Sequence, residues 1–177
     1  MPLNKLKKYN QLLELNQFTE RQRDMSLKGI FNRDIVENNN FIFRGKFIHP
    51  FKKDGEPALE TLFTHLTRRE EFVDDELGNK IRSRKVFDLK RSERLHWIWH
   101  HIQEKEKIKI FSYNDRKDGK NVIRTYLFDE KENYVIVLEP YKKTNDYYLL
   151  TAYYLEDKYN GPKTIKKKFQ RRLTEIY

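Results

Sequence analysis

The stretch from residue 108 to residue 155 reads IKIFSYNDRKDGKNVIRTYLFDEKENYVIVLEPYKKTNDYYLLTAYYL. Runs of Ile, Val, Tyr, Phe and Leu alternate there with short polar clusters. The apolar types suit a pleated, half-buried surface. The clusters at Asp118-Gly119, 129–133 and 142–146 carry turn chemistry. The expectation is four strands, at 108–113, 121–128, 134–141 and 147–155. Loops this short join antiparallel neighbours, so the strands form a β-meander. Just upstream, Leu95, Ile98, Trp99 and Ile102 recur at helical spacing between 90 and about 104. A helix there covers one face of the sheet and makes an α+β layer pair.

The pattern is looser toward the N-terminus. Leu6, Tyr9, Leu12, Leu13, Leu15 and Phe18 predict mainly helical structure over 1–40, ended by Asn38, Asn39 and Asn40. FIFRGKF, at 41–47, reads as a short strand or an extended arm. Pro57 opens a helix running to about 72, with Leu59, Leu62, Phe63 and Leu66 as its buried stripe. Residues 74–79 read as a loop and 80–84 as a basic crossing. The chain divides into a mostly helical extension or subdomain, 1–80, and an α+β domain, 81–177, with a basic tail. The fold class expected is α+β: N-terminal helices plus a helix packed on a four-stranded antiparallel β-meander. After Gly161-Pro162 the tail carries six Lys or Arg between Lys163 and Arg172, and Ile165 and Phe169 offer it a small docking face.

At 177 residues the chain suits one main domain, and its 14% of aromatic residues point to an aromatic-rich core rather than disorder. Its net charge of +10 favours a polyanionic partner, chiefly nucleic acid. There is no cysteine, which excludes disulfides, thiolate nucleophiles and thiolate metal sites. Residues 1–8 are polar and basic with no apolar run behind them, and no segment approaches a membrane span. The expectation is a cytoplasmic protein with no membrane partner.

RSERLHWIWHHI, at 91–102, holds three of the five histidines. His96 and His100 share a helix face, and Arg94 and His101 flank the apolar stripe. RNA cleavage by the 2′-hydroxyl needs a base, an acid and cations around the phosphorus. Histidine carries protons near neutral pH, so His96 or His100 is the candidate proton carrier. Arg94 and Arg124 are candidate phosphate contacts. The plainer reading is an amphipathic shoulder with no chemistry. The spaced histidines lack HExxH and a third ligand, so neither a metal nor a cofactor is expected. On the last strand Thr151 and Tyr153 share a face with Tyr147, Leu149 and Leu155, where they would hold a phosphate or stack a base. His101, Lys142, Lys166, Lys167 and Arg171 complete the candidate substrate contacts.

The order R-x-x-R-L-x-W-I on a helix, four strands, then T-A-Y on the last, resembles the barnase–EndoU–colicin–RelE-like nuclease superfamily carried by phages and mobile elements. The residues that carry it are Arg91, Glu93, Arg94, Leu95, Trp97 and Ile98, then Thr151, Ala152 and Tyr153. The resemblance covers about 85–157. It implies a metal-independent endoribonuclease that leaves a 2′,3′-cyclic phosphate, acting as a toxin or in phage–host conflict. It also implies Arg91, Arg94, Thr151 and Tyr153 as site residues. Two alternatives stand beside it. One is a nucleic-acid-binding protein without catalysis. The other is an interaction module whose partner is a protein, such as an antitoxin or host factor.

Overall fold

The computed structural model describes residues 3–50, 52, 53, 56–117, 119–141 and 143–177. Side chains are described from residue 4 onward, apart from those at 52, 53, 56 and 57. The helices are α1 (Glu20–Phe31), α2 (Leu59–Thr67), α3 (Leu89–Ser92), α4 (Trp97–Ile102) and α5 (Gly161–Gln170). The strands are β1 (Ile42–Phe43), β2 (Lys46–Pro50), β3 (Lys52–Lys53), β4 (Glu56–Pro57), β5 (Arg68–Asp74), β6 (Lys80–Phe87), β7 (Lys109–Lys117), β8 (Lys120–Asp129), β9 (Tyr134–Tyr141) and β10 (Asp146–Tyr154). Among the described residues no helix is long and apolar enough to cross a membrane.

The class is α+β, and β7, β8, β9 and β10 pair antiparallel in chain order. Asn133 and Asn145, in the turns after β8 and β9, take positive φ of 49° and 60°. Asn tolerates that region better than most residues because its short amide can bond locally. The sheet has six strands rather than four, in the order β1-β2-β10-β9-β8-β7. The FIFRGKF segment supplies the extra two, and β2 joins β10 in parallel, Ile48 opposite Tyr147. Asp146 anchors this joint. It accepts hydrogen bonds from Phe47 N at 3.2 Å and His49 Nε2 at 3.1 Å.

Three helical expectations change. The run 90–104 is two short helices, not one. Trp97 N bonds to Arg94 O, so Glu93 O is released to accept from Leu13 N at 2.9 Å. A continuous helix would give that carbonyl to residue 97. The helix expected from Pro57 to about 72 runs only from Leu59 to Thr67, with Pro57 in β4, and the Thr67 carbonyl is taken by Asp88 N and Ser92 Oγ. The expected loop and basic crossing at 74–84 belong to a hairpin of β5 and β6. Residues 1–40 hold one full helix, α1, whose Thr19–Gln22 capping box satisfies its first N–H groups.

A β-bulge decides how β10 presents its side chains. Leu149 lies opposite Leu138, but Thr151 lies opposite Val137, so Leu150 is the extra residue. Simple alternation put Thr151 and Tyr153 with Tyr147 and Leu149. The bulge turns them to the opposite face. One face, with Leu127, Ile136, Leu138, Leu149 and Ala152, packs under α1, α2 and α4 and the segment holding Leu13 and Leu15. The other, with Tyr126, Phe128, Val135 and Val137, is partly covered by Leu155, Ile165 and Phe169. The basic tail therefore docks through Ile165 and Phe169.

A candidate nucleic-acid cleft

What α5 leaves open on that second face is a cleft of about 550 Å³. Its floor is Tyr126, Val137, Thr151 and Tyr153. Its walls are the end of α2, α3, the β5–β6 hairpin and α5, which bring in His65, Arg91, Glu70, Arg82, Arg84 and Lys168, and β7 and β8 add Lys117 and Arg124. Six cations thus face one carboxylate across the lining, a setting that attracts an anion.

The bulge builds one wall. β2 pairs with β10 only as far as Leu149, and the end of α2 packs against the edge beyond. Arg91, from α3, donates to His65 O, and Thr151 Oγ1 donates to the same carbonyl at 3.4 Å. The His65 ring is half-buried and hydrogen-bonds to the backbone of Leu150. Burial and then the positive charge of Arg84 push its pKa below the usual histidine value, and the Leu150 bond offsets this only in part. At neutral pH the ring is therefore neutral and able to take a proton.

The cations are held by a mixture of carboxylates and rings. Arg91 lies 3.7 Å from Asp88 Oδ2 and 5.4 Å from the centre of the Tyr153 ring. Burial, against the pull of Asp88, lowers its pKa. Arg124 sits between Asp115 at 3.6 Å and Glu139 at 3.7 Å. Lys168 Nζ reaches Asp115 Oδ1 at 2.5 Å and donates to the Tyr126 hydroxyl at 2.8 Å. Arg84 meets Glu70 at 3.9 Å. Burial raises the pKa of the Tyr153 hydroxyl, so it keeps its proton as a donor. Arg91 Nε and Arg124 Nε are buried without a hydrogen bond among the described residues, and each has a carboxylate oxygen at 3.7 Å, Asp88 Oδ2 and Glu139 Oε2.

The residues singled out in the sequence separate into two groups. Arg91, Arg124, Thr151 and Tyr153 meet in the cleft. None of His96, His100 and His101 lines it. His101 is fully buried on the other face, its Nε2 2.9 Å from Asp129 Oδ2 and its Nδ1 2.7 Å from Trp97 O. His96 is also buried, with Nε2 3.0 Å from Lys8 O. His100 stacks on Tyr9 with ring centres 3.9 Å apart. Arg94 lies over the rings of Trp97 and Tyr154 and donates to Glu93. Lys166 pairs with Glu130 at 2.9 Å, and Lys167 and Arg171 are exposed outside the cleft. Lys142 lies outside the described residues. Sequence reading passed over His65, Glu70, Arg82, Arg84, Lys117, Tyr126 and Lys168. Gly78-Asn79 between two alternating runs was the signal for the hairpin that carries Arg82 and Arg84. Nothing local marked His65.

Among the described residues no three His, Asp or Glu side chains gather as a metal site would require. Comparison with known proteins returns no match to a family model, to a curated protein or to a solved structure.

Proposed function

We propose that the protein binds RNA in this cleft and cleaves it without a metal, the 2′-hydroxyl attacking the adjacent phosphorus as the bond from phosphorus to the 5′-oxygen breaks, to leave a 2′,3′-cyclic phosphate and, with a proton taken up from water, a 5′-hydroxyl. The observation that carries the reading is the convergence of six cations on a histidine held neutral by its surroundings. Neutral His65 takes the 2′-hydroxyl proton. Arg84, Arg91 and Arg124 neutralise the charge that grows on the phosphorane oxygens. Tyr153 donates to the phosphate, and Thr151 holds the His65 backbone in place. The role first sought in His96 and His100 falls to His65, which α2 and the Leu150 bulge bring to the cleft.

Non-catalytic RNA binding is the second reading. The pairing of Arg124 and Lys168 with Asp115 favours it, because cations already shared with carboxylates bind phosphate but stabilise a transition state less. Incubating the purified protein with a uridine- and adenosine-containing oligoribonucleotide in EDTA separates the two. Cyclic-phosphate products, lost in His65→Ala and retained in His100→Ala, support cleavage. Salt-sensitive binding with intact RNA supports the second reading.

A further inference from the structure

The hairpin of β5 and β6 does more than wall the cleft. Phe72 and Arg82 are cross-strand neighbours, and the Arg82 guanidinium lies 5.8 Å from the centre of the Phe72 ring. Arg82 lines the cleft, and so does Glu70, which shares a face of β5 with Phe72 two residues on. The Phe72 ring therefore stands on the cleft-side face of the hairpin, further from the floor. It is 66% exposed and belongs to neither core. A cross-strand aromatic supports a hairpin by packing on its neighbour, but Phe72 leaves most of its ring in water.

We infer that Phe72, backed by Arg82, is a stacking subsite for an unpaired base of single-stranded RNA whose neighbouring phosphate lies in the cleft. An aromatic face beside a run of cations is the arrangement that holds single strands, because every base has a π-face and every linkage a charge. Arg82 serves both parts, facing the phosphate site and packing on the ring. Arg82 and Arg84, the latter 3.9 Å from Glu70, extend the cationic lining onto the hairpin that carries Phe72, so in this proposal the strand leaves the cleft over Phe72. Val73 and Ile81 are also exposed, but they pair across the other face of the hairpin. They do not share the cationic lining, so a protein partner is the less favoured occupant. This inference rests on the reading that the cleft holds RNA.

The test is a binding titration with an uncleavable 2′-O-methyl octanucleotide at physiological salt, using wild type, Phe72→Ala, Phe72→Trp and Arg124→Ala, with circular dichroism to confirm folding. The expected result is about tenfold weaker binding for Phe72→Ala. The same variant binds an abasic octanucleotide as the wild type does. Phe72→Trp keeps its affinity, and its added emission is quenched by the oligonucleotide. If Arg124→Ala weakens binding and Phe72→Ala does not, the subsite is wrong and the cleft reading survives. A hairpin that serves a protein contact gives that same result. If the wild type binds no oligonucleotide, the cleft reading fails and the subsite fails with it.

Discussion

His65 and His101 have opposite surroundings within one small protein. His101 is sealed under the helical layer, where both ring nitrogens are engaged, by Trp97 O and by Asp129. Asp129 also accepts from the Tyr9 hydroxyl at 2.7 Å and from Glu132 N at 3.0 Å. Little in that network is free to react, and it joins the N-terminal segment, α4 and the end of β8. His65 stands at an open cleft whose lining carries six cations and one carboxylate. The difference teaches that a histidine beside arginines in the sequence says little about chemistry. What matters is whether the ring's surroundings leave it an exchangeable proton and a route to a ligand.

The comparison can be broken most sharply at His65. His65→Ala is expected to lower the cleavage rate roughly a hundred- to ten-thousandfold, while affinity for the 2′-O-methyl octanucleotide changes little. Parallel loss of both would make the residue structural. The pH profile gives a second check. A base acts in its neutral form, so kcat/KM should rise with pH through the lowered pKa of His65 and level off by about neutrality. An acidic limb that persists in His65→Gln would assign it to another group.

On the buried side the effect should be on stability. His101→Ala leaves Asp129 charged, buried and without its ring partner. Chemical unfolding should show a loss of about 3–5 kcal/mol, while the folded fraction still cleaves. Asp129 also predicts a pH dependence. Burial pushes its pKa up, but the bonds from His101 and Tyr9 outweigh this and bring it down to about 2. A carboxylate lowered in the folded state stabilises above its unfolded value and loses that contribution as pH falls through the folded one. Stability should therefore drop between about pH 4 and pH 2. Asp129→Asn should start lower and fall less over the same range.

Smaller effects sharpen the contrast. Arg124→Ala should weaken octanucleotide binding about tenfold and reduce the slope of log affinity against log salt by about one. The smallest is His100→Ala. It removes a half-buried ring stacked on Tyr9, at a cost of about 1 kcal/mol in unfolding experiments, with cleavage unchanged.

Part of this was legible in the chain. Local alternation and turn chemistry are properties of neighbours along the backbone, so they marked the four meander strands and the α+β class. Of the residues that reach the cleft, Arg124, Thr151 and Tyr153 were singled out because charged or polar side chains stood out against apolar runs, and Arg91 through the resemblance of the R-x-x-R order. The docking of the tail by Ile165 and Phe169 was visible for the same reason.

Three things needed the tertiary structure. The parallel joint of β2 with β10 links Ile48 to Tyr147, and no local pattern encodes a pairing across that separation. The Leu150 bulge depends on the register against β9 and on the end of α2 covering the edge, and one extra residue reverses the face of everything after it. The fate of each histidine was decided by what packed over it. The N-terminal segment closed over His96 and His101, while α2 left His65 half open beside Arg84 and Arg91. The sequence by itself determined which segments become strands and that the surface is cationic, because propensity and charge act residue by residue. Only the tertiary structure decided which histidine meets those cations, because burial and proximity belong to segments that are far apart in the chain.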